Sequence, residues 1–345
     1  MGRKWWLVLA ASGAIATGVV ACGDDDDNGD GGGGDGGDLS GTIRIDGSST
    51  VAPLTEAIAE GFKGENDDVN IAVGTSGTGG GFEKFCAGET DANDASEAIG
   101  EEEIAACEQG GVSYEELQVA NDALTVVVNP ENPVTCVTID QLESVWEPKS
   151  AIASWSEIQN LDPPYDESLD LYGPGSDSGT FGYFTEVING EEDAIRTDYN
   201  DVGEDDNATV TGVAGSPGGM GYFGYSFFNE NQDQLKALEI DGGQGCVGPS
   251  VETVQDGSYK PLSRPLYVYP SAEALQRPEF DAFLTYYLEN VNDIAEQVGF
   301  IGLTDEQLSG SDSNLRSLIG GAGGGGGGAE TTGGAETTGG AETTG

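Results

Sequence analysis

A two-lobed α/β fold is what this sequence predicts, on three observations. A strand, a Gly/Ser/Thr loop and a helix follow one another three times, which is the pattern of α/β proteins. The 345 residues exceed one average domain and leave room for a sizeable core in each of two lobes. The chain also reads as leaving one lobe near residue 128 and returning near 262, which would set a cleft between them.

The elements follow in order. Residues 41–46 alternate in character and read as a strand that breaks at Gly47-Ser48-Ser49-Thr50. Val51, Leu54, Ile58 and Phe62 then recur at helical spacing. Residues 70–73 form a second strand, broken by the run Gly74 to Gly81, with a helix expected from Phe82. Residues 124–128 read as a strand ending near Pro130. Residues 169–172 form another, followed by the loop Gly173 to Thr180 and a helix near Phe181. Residues 266–269 make a late strand, and 274–298 one or two closing helices.

Both ends of the chain read differently from the body. Residues 1–21 have the form of a secretion signal, with Arg3 and Lys4 ahead of a short apolar core. Val19-Val20-Ala21-Cys22 resembles a bacterial lipobox, which implies lipid on Cys22 and attachment to the outer face of the cytoplasmic membrane. Gly23 to Asp38 contains only Gly, Asp and one Asn, cannot bury apolar surface, and reads as a disordered tether. Such a 16-residue coil spans roughly 20–24 Å. Residues 320–345 are Gly-rich, end in three Gly-Gly-Ala-Glu-Thr-Thr copies, and read as a flexible tail. The expected layout is therefore a signal at 1–21, lipidated Cys and tether at 22–38, one lobe from 39–127 and 263–319, the other from 128–262, and the tail.

Charge and composition exclude several functions. The chain has 12 Lys+Arg against 62 Asp+Glu, a net charge of −50, so it lacks the basic surface that nucleic acid requires. It has no His, which removes Ser-His-Asp triads, Cys-His pairs and His-ligated zinc. The acidity reads as a solubility device or an adaptation to a saline habitat rather than a site. Once Cys22 is lipidated, Cys86, Cys107, Cys136 and Cys246 remain, an even number in an oxidising compartment. They allow three pairings. Cys86–Cys107 with Cys136–Cys246 is favoured because each bridge then stays within one lobe. The aromatic residues Trp146, Trp155, Phe181, Phe184 and 222–228 read as core and cleft wall.

The three loops share a physical use. A helix N-terminus presents unpaired N–H groups and partial positive charge, glycines allow close approach, and hydroxyls add directional donors. Together they can cradle an anion with little side-chain charge. One such loop is ordinary helix capping. Three in one exported α/β chain point to oxyanion binding.

The segments Asp46 to Leu54 (DGSSTVAPL), Ser76 to Phe82 (SGTGGGF) and Gly173 to Phe181 (GPGSDSGTF) resemble the three ligand loops of the phosphate-binding proteins of bacterial ABC transporters, the PstS family. Gly218 to Tyr225 and Tyr259 to Leu266 resemble further segments of it, and the similarity runs from about 41 to 305. The resemblance implies a periplasmic-binding-protein fold of the second type that closes on phosphate by a hinge and passes it to permease subunits. It implies Ser49 and Thr50 as ligands from the first loop, Thr78 and Gly79 from the second, and Ser178, Gly179 and Thr180 from the third. Glu97 stands where some family members carry an acid. A buried carboxylate there would accept the hydrogen bond of phosphate's proton and meet sulfate with unpaired like charge, a cost of about 1–3 kcal/mol or more. Some members carry an Arg just ahead of the third loop, where this chain has Gly173, Pro174 and Gly175. Arg44, Arg196 and Arg264 are the substitutes considered. Arg264, between Ser263 and Pro265, reads as structural and Arg196 as a lobe-surface residue, so the candidate set contains no cation.

The expected protein is a monomeric binding protein without catalysis, cofactor or metal. A phosphoryl-transfer enzyme would need an activated nucleophile or metal cluster that the sequence does not signal. A surface sensor or adhesin that kept the fold is the alternative, and it would bind no inorganic anion tightly.

Overall fold

A computed structural model describes residues 39–322, apart from Asp177 and Glu204. The signal, Cys22, the tether and the tail from 323 lie outside the described residues. The first lobe is laid down by β1 (Gly41–Gly47), α1 (Ala52–Glu65), β2 (Val69–Val73), α2 (Thr78–Cys86), β3 (Ala92–Ala95) and α3 (Glu101–Gly110). A long strand, β4 (Leu117–Val128), leads out of it. Then come β5 (Cys136–Thr138), α4 (Ile139–Trp146), β6 (Asp170–Gly173), α5 (Gly179–Asn189), β7 (Asn200–Asp201), α6 (Asp206–Gly215), β8 (Gly219–Gly224) and α7 (Tyr225–Glu230). The short β9 (Lys236–Ala237), β10 (Glu239–Asp241), β11 (Cys246–Val247) and α8 (Val251–Gln255) precede the return strand β12 (Ser263–Pro270). The described chain ends with α9 (Pro278–Gln297) and α10 (Asp305–Ala322).

The main sheet runs in the order β2-β1-β3-β12-β4-β8-β6-β7, with β9 also on β4. β1, β2 and β3 are parallel, as strand–loop–helix units require. β4 carries the sheet from one lobe to the other. Its first half, through Ala123, pairs antiparallel with β12, and Leu124 to Val128 pair with β8. The cores divide at the same place. Leu117, Val119 and Ala120 pack with α1, α9 and α10, whereas Ala123 to Val128 pack with Trp146, Phe184 and Tyr222. On β12, Leu266 and Val268 belong to the first core, and Leu262, just before the strand, to the second.

The helical spacing of α1 is repaid in packing. Leu54, Ile58 and Phe62 are all buried, and Phe62 meets Phe283 of α9 edge to face at 5.5 Å. Two disulfides are formed. Cys86–Cys107 ties α2 to α3, and Cys136–Cys246 ties β5 to β11.

Several elements differ from the sequence expectation. α2 starts at Thr78 and α5 at Gly179, each inside the segment expected as loop. β4 begins at Leu117, well before 124, and α10 was not anticipated.

A carboxylate lies among the polar residues buried deep in the first lobe. Asp94 on β3 is fully buried, and its carboxylate oxygens have no hydrogen-bond partner among the described residues. Burial pushes its pKa from 3.8 up to about 8; the Asp46 and Glu56 carboxylates add to this and the Thr55 hydroxyl opposes it. The folded protein therefore keeps a proton that the unfolded chain releases above 3.8. This group's contribution makes stability fall as pH rises from 3.8 to about 8, and level off beyond. Urea melts of Asp94→Asn against wild type should show the variant gaining about 2 kcal/mol or more at pH 8 relative to pH 4. Parallel pH profiles for the two proteins would show that Asp94 is not held neutral.

Candidate functional site

The first loop is pinned by backbone bonds. Gly47 ends β1 at φ +139°, a conformation that suits glycine, and a Cβ there would lie 2.1 Å from the Asp94 carbonyl oxygen. The Gly47 N–H donates to Asp46 Oδ1 at 2.8 Å and the Ser48 N–H to the Asp94 carbonyl at 2.8 Å. The Thr50 N–H turns back onto Ser48 Oγ at 3.2 Å.

Asp46 ties this loop to the second. It accepts from the Ser76 N–H at 3.0 Å and from the Ser76 hydroxyl, and pairs with Lys84 at 2.6 Å. Its partial burial raises the carboxyl pKa, but the bonds from Lys84, Ser76 and Gly47 outweigh that and hold it at about 2. The Gly77 N–H donates to the Gly47 carbonyl, so both loops leave the sheet together.

The helices that follow the three loops share an electrostatic feature. α1, α2 and α5 begin without a side-chain cap and with no acidic residue in the first turn. In this acidic chain α3, α4, α6, α8, α9 and α10 all carry Asp or Glu there, and the short α7 does not. The positive ends of the loop helices are thus left uncompensated.

The first and third loops meet across the cleft. Ser49, Thr50, Ser178, Gly179 and Thr180 line one cavity of about 490 Å³ together with Asp122. A Cβ on Gly179 would sit 3.4 Å from Thr50 Oγ1, so the two loops are in near contact. Thr78, Gly79 and Glu97 do not line this cavity. Thr78 is engaged by Ser96 instead: the hydroxyls lie 3.2 Å apart and the Ser96 N–H donates to Thr78 Oγ1 at 3.2 Å. Glu97, next to Ser96, is exposed. Its pKa is raised, first by desolvation and then by Glu186 of α5, with Arg264 opposing, which sets it within electrostatic reach of the cleft.

The three arginines separate clearly. Arg44 is exposed on β1. Arg196 is buried and donates to the Val145 and Ile152 carbonyls and to Asp198, which is structural work inside the second lobe. Arg264 reaches the cleft, donating to Thr50 Oγ1 at 3.1 Å and to Asp122 Oδ2 at 3.3 Å. The potential metal-ligand cluster found among the described residues, Cys136, Glu239 and Cys246, has both sulfurs joined in a disulfide.

Known proteins match this arrangement. Residues 35–291 match the PBP superfamily domain. The phosphate-binding protein PstS of Staphylococcus saprophyticus is 36% identical over 321 residues, covering 92% of this chain and 96% of the relative. The chain belongs to the PstS family of substrate-binding proteins. The protein SphX of Synechococcus elongatus is 41% identical over 278 residues, 80% of this chain and 81% of its own. The crystal structure of a possible phosphate binding protein from Planctomyces limnophilus superposes with a TM-score of 0.78 at 43% identity, covering 81% of this chain and 99% of that one.

For this PstS-family chain, the sequence reading left out Asp122, which lines the cavity. Asp122 had a signal: it is a charged residue within a stretch of mostly apolar neighbours, Val119 to Val128. The spacing gives no signal for Tyr183, whose ring centroid lies 3.6 Å from the Arg264 guanidinium carbon. Asp46→Ala should free the second loop from the first. Amide hydrogen exchange at Gly47 and Ser76 is expected to speed up about tenfold or more while the second lobe stays protected. Unchanged exchange at both amides would remove Asp46 as the tie.

Proposed function

We propose that the protein is an extracytoplasmic phosphate-binding lipoprotein that delivers inorganic phosphate to the permease of an ABC transporter. The observation that carries this reading is the meeting of Thr50 with Ser178, Gly179 and Thr180 in one cavity, at the starts of two helices whose first turns hold no acidic residue. Backbone N–H groups and hydroxyls there suit a tetrahedral oxyanion. The names of the Staphylococcus saprophyticus and Planctomyces limnophilus relatives support phosphate as that anion. Ser49, Thr50, Ser178, Gly179 and Thr180 bind it in this reading; Thr78, Gly79 and Glu97 join when the lobes, divided at 128 and 262, close by the hinge. The protein acts by binding and release, as a monomer held to the membrane through Cys22. Among the described residues no helix is long and apolar enough to cross a membrane.

Glu97 supplies the discrimination. Its carboxylate accepts a hydrogen bond from the P–O–H group that phosphate carries and sulfate lacks. Titration calorimetry should find phosphate bound and sulfate ignored by wild type, and the preference narrowed about tenfold or more in Glu97→Gln. Equal affinity of wild type for both anions would remove the role of Glu97. No heat with phosphate would sink the receptor reading itself.

A further inference from the structure

We propose that Arg264 is a positioning residue that acts through Thr50, making its hydroxyl a committed donor to the bound anion. The inference rests on the phosphate reading above and goes beyond it, because neither the loops nor the resemblance assigns this residue a role.

Arg264 lies on the cleft floor. It stands opposite Asp122 in the β12–β4 register, next to the point where both strands pass from one core to the other. Three contacts fix its plane. Nε donates to Asp122 Oδ2 at 3.3 Å, the guanidinium carbon lies 3.6 Å from the Tyr183 ring centroid, and Nη2 donates to Thr50 Oγ1 at 3.1 Å. Tyr183 is itself anchored, its hydroxyl donating to the Pro261 carbonyl at 2.9 Å. The arginine is thus held from the first lobe by Asp122 and from the second by a ring on α5.

The consequence falls on Thr50. A hydroxyl has one proton and two lone pairs, and it can meet a neighbour as donor or acceptor. Arg264 has only donors. By filling one lone pair of Thr50 Oγ1 it leaves the hydroxyl proton to turn towards the cavity that Ser178, Gly179 and Thr180 also line. The guanidinium charge behind the hydroxyl polarises the O–H and strengthens its bond to an anion. Arg264 does not line the cavity itself, so its charge acts through one intervening hydroxyl.

A double-mutant cycle with inorganic phosphate tests this. Arg264→Gln should weaken phosphate binding about tenfold or more. In a Thr50→Ala background the same change should alter affinity less than about threefold, since the hydroxyl it served is gone. Arg264→Lys keeps a charged donor and should recover most of the loss. If Arg264→Gln unfolds because Asp122 is left unpaired, Arg264→Gln with Asp122→Asn restores a neutral pair and takes its place in the cycle. Equal losses in both backgrounds, or no loss in either, would overturn the proposal while the phosphate reading stands. A wild type that binds no phosphate would overturn both.

Discussion

The antiparallel pairing of β4 with β12 is the constraint on which the rest of the structure depends. β4 contributes residues to both cores, and β12 continues the chain from Leu262 in one core to Leu266 and Val268 in the other, so the two lobes share one continuous sheet rather than a loose linker. Among the described residues, β4 and β12 carry the main sheet from one core to the other, and each core keeps its own packing. The Arg264–Asp122 pair sits on this crossing, with Thr50 on one side and the Tyr183 ring on the other.

A second constraint is electrostatic. A chain with a net charge of −50 must leave room for an anion. It does so by position rather than by adding bases. Acids cap or flank most other helices, where they complement the dipole, and are kept out of the first turns of α1, α2 and α5. At the cleft the first turns of α1 and α5 are thus free of acids, while Asp122, Asp206, Glu230 and Glu296 line other parts of the cavity. The distant surface carboxylates are screened by salt within about 10 Å.

Hydrogen-bond donors give the carboxylates near the loops opposite behaviour. Asp46, bonded to Lys84, Ser76 and Gly47, is held strongly acidic and ties two loops together. Asp94, one strand away and without a partner, is pushed towards the neutral form. Both are aspartates next to the same turn. What separates them is whether donors reach the oxygens.

The sequence by itself determined the α/β class, the three strand–loop–helix units and the residues of the three loops, because periodicity, glycine and hydroxyl spacing are local properties. It misplaced the starts of α2 and α5, since glycine runs read as loop by propensity. In the fold, Gly81 allows α2 to press on the first loop: a Cβ there would lie 2.5 Å from Gly47 Cα. The first half of β4 was hidden because Asn121 and Asp122 interrupt its apolar run, and α10 because its Ser and Gly content masks Leu315 and Leu318, which are buried only once α10 packs on β4 and its neighbours. Only tertiary structure decided that Thr50 faces Gly179 while Thr78 turns to Ser96, and that Arg264 reaches Thr50. Those contacts join residues 129, 18 and 214 positions apart. Nothing in the spacing of a chain encodes such meetings; they follow from how two packed lobes share a pair of strands.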